Sequence, residues 1–311
     1  MKVYYDLTPS EGESAVALGS FDGLHLGHRK VISLALDGAE RGLIPTVLTF
    51  AENPKFSENE AFDGILLRRE EKIRLLEKMG VKQLYLLDFD SIKNLTPAEF
   101  VDKILWEVCR AKKACCGFNF TFGRGGSADS GDLKRLCAER GIETAVADAV
   151  LADGTPVSST RIRRLIENGR ADEAAQLLGR PFGYESPVVS GRKLGRKLGT
   201  PTLNQEVPEE FVLPKFGVYA SAVTIDGAIY CGVTNVGVKP TVGSSAVLAE
   251  TWMPDYTGPQ LYGHTVRVDL LKFLRPERKF PGLEELKAEI QHNGEQAREY
   301  FRKNPPQPDK L

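Results

Sequence analysis

At 311 residues the chain is long enough for two domains, because single cores rarely grow past about 250 residues. Hydrophobic residues at 41%, charged residues at 27% and a formal net charge of −1 describe a soluble globular protein and exclude a global pull toward nucleic acid or membrane, so any anion site has to be local. The start, "MKVYYDLTPSEGES", has neither a basic leader nor an apolar core, and no apolar run reaches the roughly 18 residues of a membrane span, which predicts a cytoplasmic protein.

In chain order, "AVALGSF" (15–21) predicts a strand, "HRKVISLALDGAERG" (28–42) a helix and "IPTVLTF" (44–50) a second strand. After a polar loop come a helix in "REEKIRLLEKMG", a strand in "VKQLYLLDF" and a helix in "TPAEFVDKILWEVCR", which opens on a Thr-Pro start signal. The strands "KACCGF" and "IETAVADAV" flank the helix "GDLKRLCAERG". This βαβα order predicts a mostly parallel, Rossmann-like sheet with helices on both faces and a ligand beyond the carboxyl ends of its strands. "VSSTRIRRLIENGRADEAAQLLG" (157–179) predicts two helices, the first capped by Ser159 or Thr160. From Phe182 the pattern changes to Gly, Pro and short β-type runs, with Asp-Gly in "VTIDGAIY" marking a hairpin, and this predicts a small antiparallel β-barrel. A final amphipathic helix is expected in "GLEELKAEIQHNGEQAREYFRKN", and "PPQPDKL" reads as a frayed tail. The boundary is expected near 180–185, giving domains 1–182 and 183–311. The five cysteines, Cys109, Cys115, Cys116, Cys137 and Cys231, form no CxxC pair and are expected as buried free thiols.

Two of the four histidines stand in "GSFDGLHLGH", directly after the first strand. Gly19 and Gly23 let the backbone turn there, and His25 and His28 enter a helix whose N-terminal N–H groups and positive dipole suit a phosphate. At i and i+3 both imidazoles can face one anion.

This stretch resembles the HxGH signature of the nucleotidylyltransferase superfamily, in the form typical of prokaryotic FMN adenylyltransferases. The resemblance implies that His25 and His28 stabilise charge on the ATP phosphates, with Gly19, Phe21, Asp22 and Gly23 forming the phosphate turn. "GFNFTFGRGG" (117–126) is similar to the flavin-and-phosphate loop of that family, implying flavin contacts from Asn119, Phe122 and Arg124. "SSTRIR" (158–163) is similar to its second phosphate motif, implying phosphate contacts from Ser158, Ser159, Thr160 and Arg161 and a catalytic role for Arg163. Hydroxyls and free N–H groups at a helix start, followed by two arginines, agree physically with an anion trap. Where the family usually has Pro-His-Pro, this chain reads "TFAENP"; Asn53 can donate a hydrogen bond but cannot be cationic.

The basic, glycine-rich "GRKLGRKLGTPTLN" (191–204) has no GK followed by Ser or Thr, which excludes a Walker A loop, and it has no interleaved aromatics to suggest nucleic acid. It resembles the glycine-rich stretch and Pro-Thr-x-Asn motif of bacterial riboflavin kinases. "FGVYAS", "GVTNVGVKPTVG", "ETWMPDY", "LYGHTVRV" and "LRPERKF" follow in the order of that module. The resemblance implies ATP contacts from Gly195, Gly199, Thr202 and Asn204, with Thr202 and Asn204 also holding Mg²⁺ and Glu250 as the base for the ribityl 5′-hydroxyl. Together the halves resemble the bifunctional riboflavin kinase/FAD synthetases of prokaryotes, implying that riboflavin and ATP give FMN, and FMN and ATP give FAD and pyrophosphate.

Two positions depart from the kinase pattern: Trp252 stands where a His is usual, and Asn293 where an acidic residue is common. Trp252 either stacks on the flavin or fills core. These departures keep open an alternative in which the chain is an FMN adenylyltransferase only, with an impaired flavin-binding kinase module. A nonenzymatic flavin sensor and an adenylyltransferase for another acceptor are further alternatives. The expected partners are riboflavin, FMN and ATP, with no nucleic acid and no membrane; weak self-association is the one macromolecular contact allowed for.

Overall fold

The computed structural model describes residues 1–51, 64–190, 200–238 and 247–305. It divides into two compact units between Ser159 and Thr160.

The first unit is built on a six-stranded, all-parallel sheet. Its strands are β1 (Lys2–Tyr4), β2 (Ser14–Leu18), β3 (Ile44–Phe50), β4 (Gln83–Leu87), β5 (Ala111–Gly117) and β8 (Glu143–Ala147), in the spatial order β1-β4-β3-β2-β5-β8. The edge strand β1 is absent from the sequence prediction, because three residues without alternation carry no periodic signal. Side chains of β2 alternate between two cores. Ala15 and Ala17 face helices α1 (Leu26–Leu36) and α2 (Arg69–Lys78), while Val16 and Leu18 face α3 (Pro97–Glu99 and Phe100–Val108) and α4 (Ser130–Glu139). Helix α3 starts as Pro97–Glu99 on a Thr96 capping box and continues as Phe100–Val108 with π geometry, closing with Cys109 N–H on the Ile104 carbonyl at 2.8 Å. Two short hairpins, β6 (Thr121–Phe122) with β7 (Ala128–Asp129) and β9 (Leu151–Ala152) with β10 (Thr155–Pro156), decorate this unit.

The second unit contains α5 (Ser159–Glu167) from its second residue on and α6 (Ala171–Leu178), followed by a closed antiparallel barrel. The barrel order is β11 (Phe182–Pro187), β16 (Thr265–Arg275), β13 (Gly217–Ile225), β14 (Ala228–Val238), β15 (Val247–Trp252) and β12 (Thr202–Glu206). A bridge between Val189 and Asn204 closes the ring, and the Gln205 amide pins it from inside by donating to the carbonyls of Ser186 (2.6 Å) and Val266 (2.7 Å). The units divide ahead of the boundary expected near 180–185, and the barrel holds both helices. Lys215 N–H donates to the Ile166 carbonyl at 3.2 Å, and Lys272 pairs with Asp172. The last helix, α7 (Leu283–Lys303), covers an outer face formed by Val218, Ala220, Cys231, Val233 and Trp252. All five cysteines are buried and unpaired as disulfides; burial pushes the Cys115 thiol up to about 12 and those of Cys116, Cys137 and Cys231 up to about 11.

Candidate active sites

Between β2 and α1 the backbone turns through three left-handed residues, Phe21 (φ 48°), Gly23 (φ 82°) and Leu24 (φ 44°). A non-glycine residue in that region costs about 1–3 kcal/mol, which burial of a Phe or Leu side chain, about 1.5–3 kcal/mol, can offset. Both side chains are in fact fully buried against α1 and α2. Four donors from elsewhere in the unit clamp the turn. Thr49 Oγ1 (2.9 Å) and Lys72 Nζ (3.0 Å) donate to the Ser20 carbonyl. Leu66 N–H donates to Asp22 Oδ1 at 3.0 Å, and the Ser159 hydroxyl donates to the Asp22 carbonyl at 2.9 Å. Ser159 is thus the first residue of α5 rather than its cap, and its hydroxyl ties the "SSTRIR" stretch to the "GSFDGLHLGH" turn.

His25 caps α1: its Nδ1 accepts the His28 N–H at 3.3 Å, which leaves the His25 proton on Nε2. The two rings stack with centroids 3.6 Å apart and planes at 17°, and Phe21 meets His28 edge-on at 5.4 Å. Burial, then His25, then Lys72 hold the His28 imidazole well below its ordinary range, so it is neutral near pH 7. Its Nδ1 has no hydrogen-bond partner among the described residues. Gly27 lies close against the His25 ring: a Cβ there would lie 3.1 Å from His25 Cε1 and 3.2 Å from Nδ1, so a side chain would press the ring aside by a few tenths of an ångström.

Gly19, Phe21, Asp22, Gly23, His25, His28 and Ser159 therefore come together, with Ser158 the half-buried neighbour of Ser159. Thr160, Arg161 and Arg163 continue on α5 in the second unit, with Thr160 exposed and Arg163 buried. In the loop after β5, Asn119 and Arg124 are exposed, whereas Phe122 packs in the core against Phe100 and Phe120. Phe118 is the exposed aromatic of that loop. Asn53, Gly195 and Gly199 lie outside the described residues.

In the barrel, register decides which side chains meet. Asn204 pairs with Glu250, and Glu250 with Asn235, so the three form one cross-strand row on a single face. Thr202, Trp252 and Val233 form the next row on that face. The opposite face, inside the barrel, carries a chain of hydroxyls from Ser221 through Thr234 to Thr251, at 2.7 and 2.8 Å. Thr202, Asn204 and Glu250 are thus brought together. Asn235, which donates to Glu277 at 3.0 Å, joins them although sequence reading did not single it out. The signal that could have found Asn235 is strand register, which needs the pairing partner.

Both departures from the kinase pattern have structural explanations. Trp252 is 7% exposed and fills the core beneath α7, so close to Gly294 that a Cβ there would lie 2.7 Å from its ring. Asn293 is buried and satisfied: it accepts from Arg275 Nε at 3.0 Å and donates to Glu289 (3.3 Å) and Gln296 (3.2 Å), while Glu289 supplies the carboxylate for Arg275 at 2.9 Å.

Residues 7–161 match the family described as FAD synthetase, and residues 178–301 the family described as riboflavin kinase. The chain is 34% identical over 293 residues to a bifunctional riboflavin kinase/FMN adenylyltransferase of Listeria monocytogenes, covering 93% of this chain and 92% of that protein. It is 32% identical to the protein of the same name from Bacillus subtilis over 304 residues (94% and 93%), and 34% identical to that of Escherichia coli K12 over 298 residues (94% of each). A crystal structure titled as a macrolide-efflux protein from Streptococcus pneumoniae superimposes with a TM-score of 0.87 at 31% identity, covering 95% of this chain and 98% of that one. Among the described residues of this chain, no helix is long and apolar enough to cross a membrane. With both family matches in sequence and three relatives aligned over nearly their full length, the chain belongs to the bifunctional riboflavin kinase/FMN adenylyltransferase family.

Proposed function

We propose that the chain makes FAD in two steps at two sites: the row Asn204–Glu250 phosphorylates riboflavin, and the His25–His28 pair adenylylates FMN. The observation that carries the second assignment is the stack of a buried, tautomer-fixed His25 on a half-buried His28 at the N-terminus of α1. An FMN phosphate oxygen bonds to the α-phosphorus of ATP while the bond to the β,γ-pyrophosphate breaks in line. A neutral His28 and the Nε2–H of His25 donate to the oxygens on which charge develops, and the N–H groups of the turn add to the same field. Arg161 and Arg163 are assigned to the ATP phosphates, and Asn119 and Arg124 to FMN, on the motifs alone. For Phe122, burial speaks for a packing role, and the exposed Phe118 ring is the better stacking surface in its loop.

At the kinase site Glu250 accepts the proton of the ribityl 5′-hydroxyl as that oxygen bonds to the γ-phosphorus and the bond to ADP breaks. The Thr202 hydroxyl and the Asn204 carboxamide offer the hard oxygens that Mg²⁺ takes, and they fit an ion completed by substrate phosphates. When bound there, Mg²⁺ would neutralise charge on the transferring phosphate. A core position for Trp252 and a satisfied Asn293 favour a working kinase over an impaired one. We place the enzyme in the cytoplasm, with riboflavin, FMN and ATP as its partners, and assign it no nucleic-acid or membrane partner.

The test is a double dissociation in the full chain, supplied with riboflavin or FMN plus ATP and Mg²⁺ and followed by chromatography. H28A should stop FAD formation from FMN and leave FMN formation intact, and E250Q should do the reverse. Equal loss of both products in a folded H28A protein, or wild-type kinase rates in E250Q, would overturn the assignment.

A further inference from the structure

Lys72 is the one lysine buried among the described residues, 7% exposed on the inner side of α2. Its ammonium donates to the Ser20 carbonyl at 3.0 Å, a carbonyl that also accepts from Thr49 Oγ1 at 2.9 Å. That carbonyl belongs to the peptide leading into Phe21, so two converging donors fix the rotation of the peptide that sets Phe21 at φ 48°. The Phe21 ring in turn meets His28 edge-on at 5.4 Å. A chain of direct contacts therefore runs from α2 through Ser20 and Phe21 to His28.

We infer that Lys72 is a positioning residue for adenylyl transfer, whose buried ammonium clamps the Ser20 carbonyl and, through Phe21, fixes the place of the His28 imidazole. The inference rests on the assignment of His25 and His28 to that step. Packing alone does not call for an ammonium here. Burial lowers Lys72 to about 8 against the pull of Asp22, so an apolar side chain of similar length would be the more stable occupant. What the ammonium adds is a strong, charge-assisted donor to one carbonyl and a positive charge beside His28. Among the described residues, the groups that act on this pair electrostatically are Asp22 from the turn and His25, the cap of α1.

The test compares K72M, T49V, the double variant and H28A in the full chain. A displacement of a few tenths of an ångström at His28 should lower the kcat of FAD formation roughly 3- to 10-fold, scaling from the ~100-fold cost of about 1 Å. The KM for ATP should stay within about twofold, because the lost interaction belongs to the transition state. FMN formation from riboflavin should be unchanged, and the K72M melting temperature equal to or above that of the wild type. The His28 imidazole, followed by NMR, should titrate at higher pH in K72M, a shift that a purely structural lysine would not cause. T49V removes the other donor to the same carbonyl and should also slow the step, with less than additive effect in the double variant. If K72M proves unstable, unchanged kcat in T49V refutes the inference. Wild-type kcat in K72M beside an inactive H28A refutes the role of Lys72 alone, whereas an active H28A refutes the underlying site.

Discussion

Gly27→Ala isolates the geometry of the histidine pair from its chemistry, because it touches neither imidazole covalently. The new methyl carbon would stand 3.1 Å from His25 Cε1 and 3.2 Å from Nδ1, several tenths of an ångström inside ordinary contact. His25 has little room to yield: it is 5% exposed and stacked on His28 at 3.6 Å. The ring must therefore slide by about 0.3–0.5 Å, and at ~100-fold per 1 Å that amounts to roughly a 4- to 10-fold loss of kcat. The same movement stretches the 3.3 Å cap from His28 N–H to His25 Nδ1, and losing a cap costs about 1 kcal/mol of stability. Steady-state FAD formation from FMN, with FMN formation from riboflavin as the internal control, reads the first effect, and urea unfolding reads the second. Wild-type adenylylation in a folded G27A protein would refute the reasoning, since it would mean that the pair tolerates displacement and its geometry is not catalytic.

Trp252→Ala should destabilise the barrel by about 3–5 kcal/mol, while W252F keeps riboflavin kinase activity; weaker flavin binding at unchanged stability in W252A would instead place the ring in the site. Asn293→Asp, which restores the residue type common in the family, should cost about 1–3 kcal/mol at pH 7 in denaturant titrations, because it puts a second carboxylate against Glu289 and removes two donors; equal stability would show that Arg275 accommodates both charges. The pH dependence of folding follows from the depressed His28. Below about pH 6.5 the unfolded chain takes up a proton that the folded imidazole refuses, so this contribution to stability is complete above that pH and is lost as the pH falls. Unfolding free energies at pH values of about 7.5, 6.5 and 5.5 should therefore drop more steeply for the wild type than for H28N, and identical slopes would contradict a neutral His28.

Much of this was legible in the linear order of residues. Alternating apolar runs and helical periods announced a parallel sheet, because β-strands and helices bury side chains at different periods. "GSFDGLHLGH" announced a tight turn into a helix, because a glycine after a strand lets the backbone take the left-handed region and the residue before a helix can cap it. Local chemistry could not reveal Lys72, whose stretch "REEKIRLLEKMG" looks like any charged helix until tertiary packing drives one lysine inward onto the Ser20 carbonyl. It could not choose between core and flavin for Trp252, because the answer lies with Gly294 on a helix distant in sequence. Nor could it gather Asn204, Glu250 and Asn235, which are adjacent only through strand register. What the sequence determined by itself were the elements and the turns, since those depend on interactions within a few residues. Which side chains share a site was decided by the tertiary structure alone, because hydrogen-bond register and burial are properties of pairs far apart in the chain.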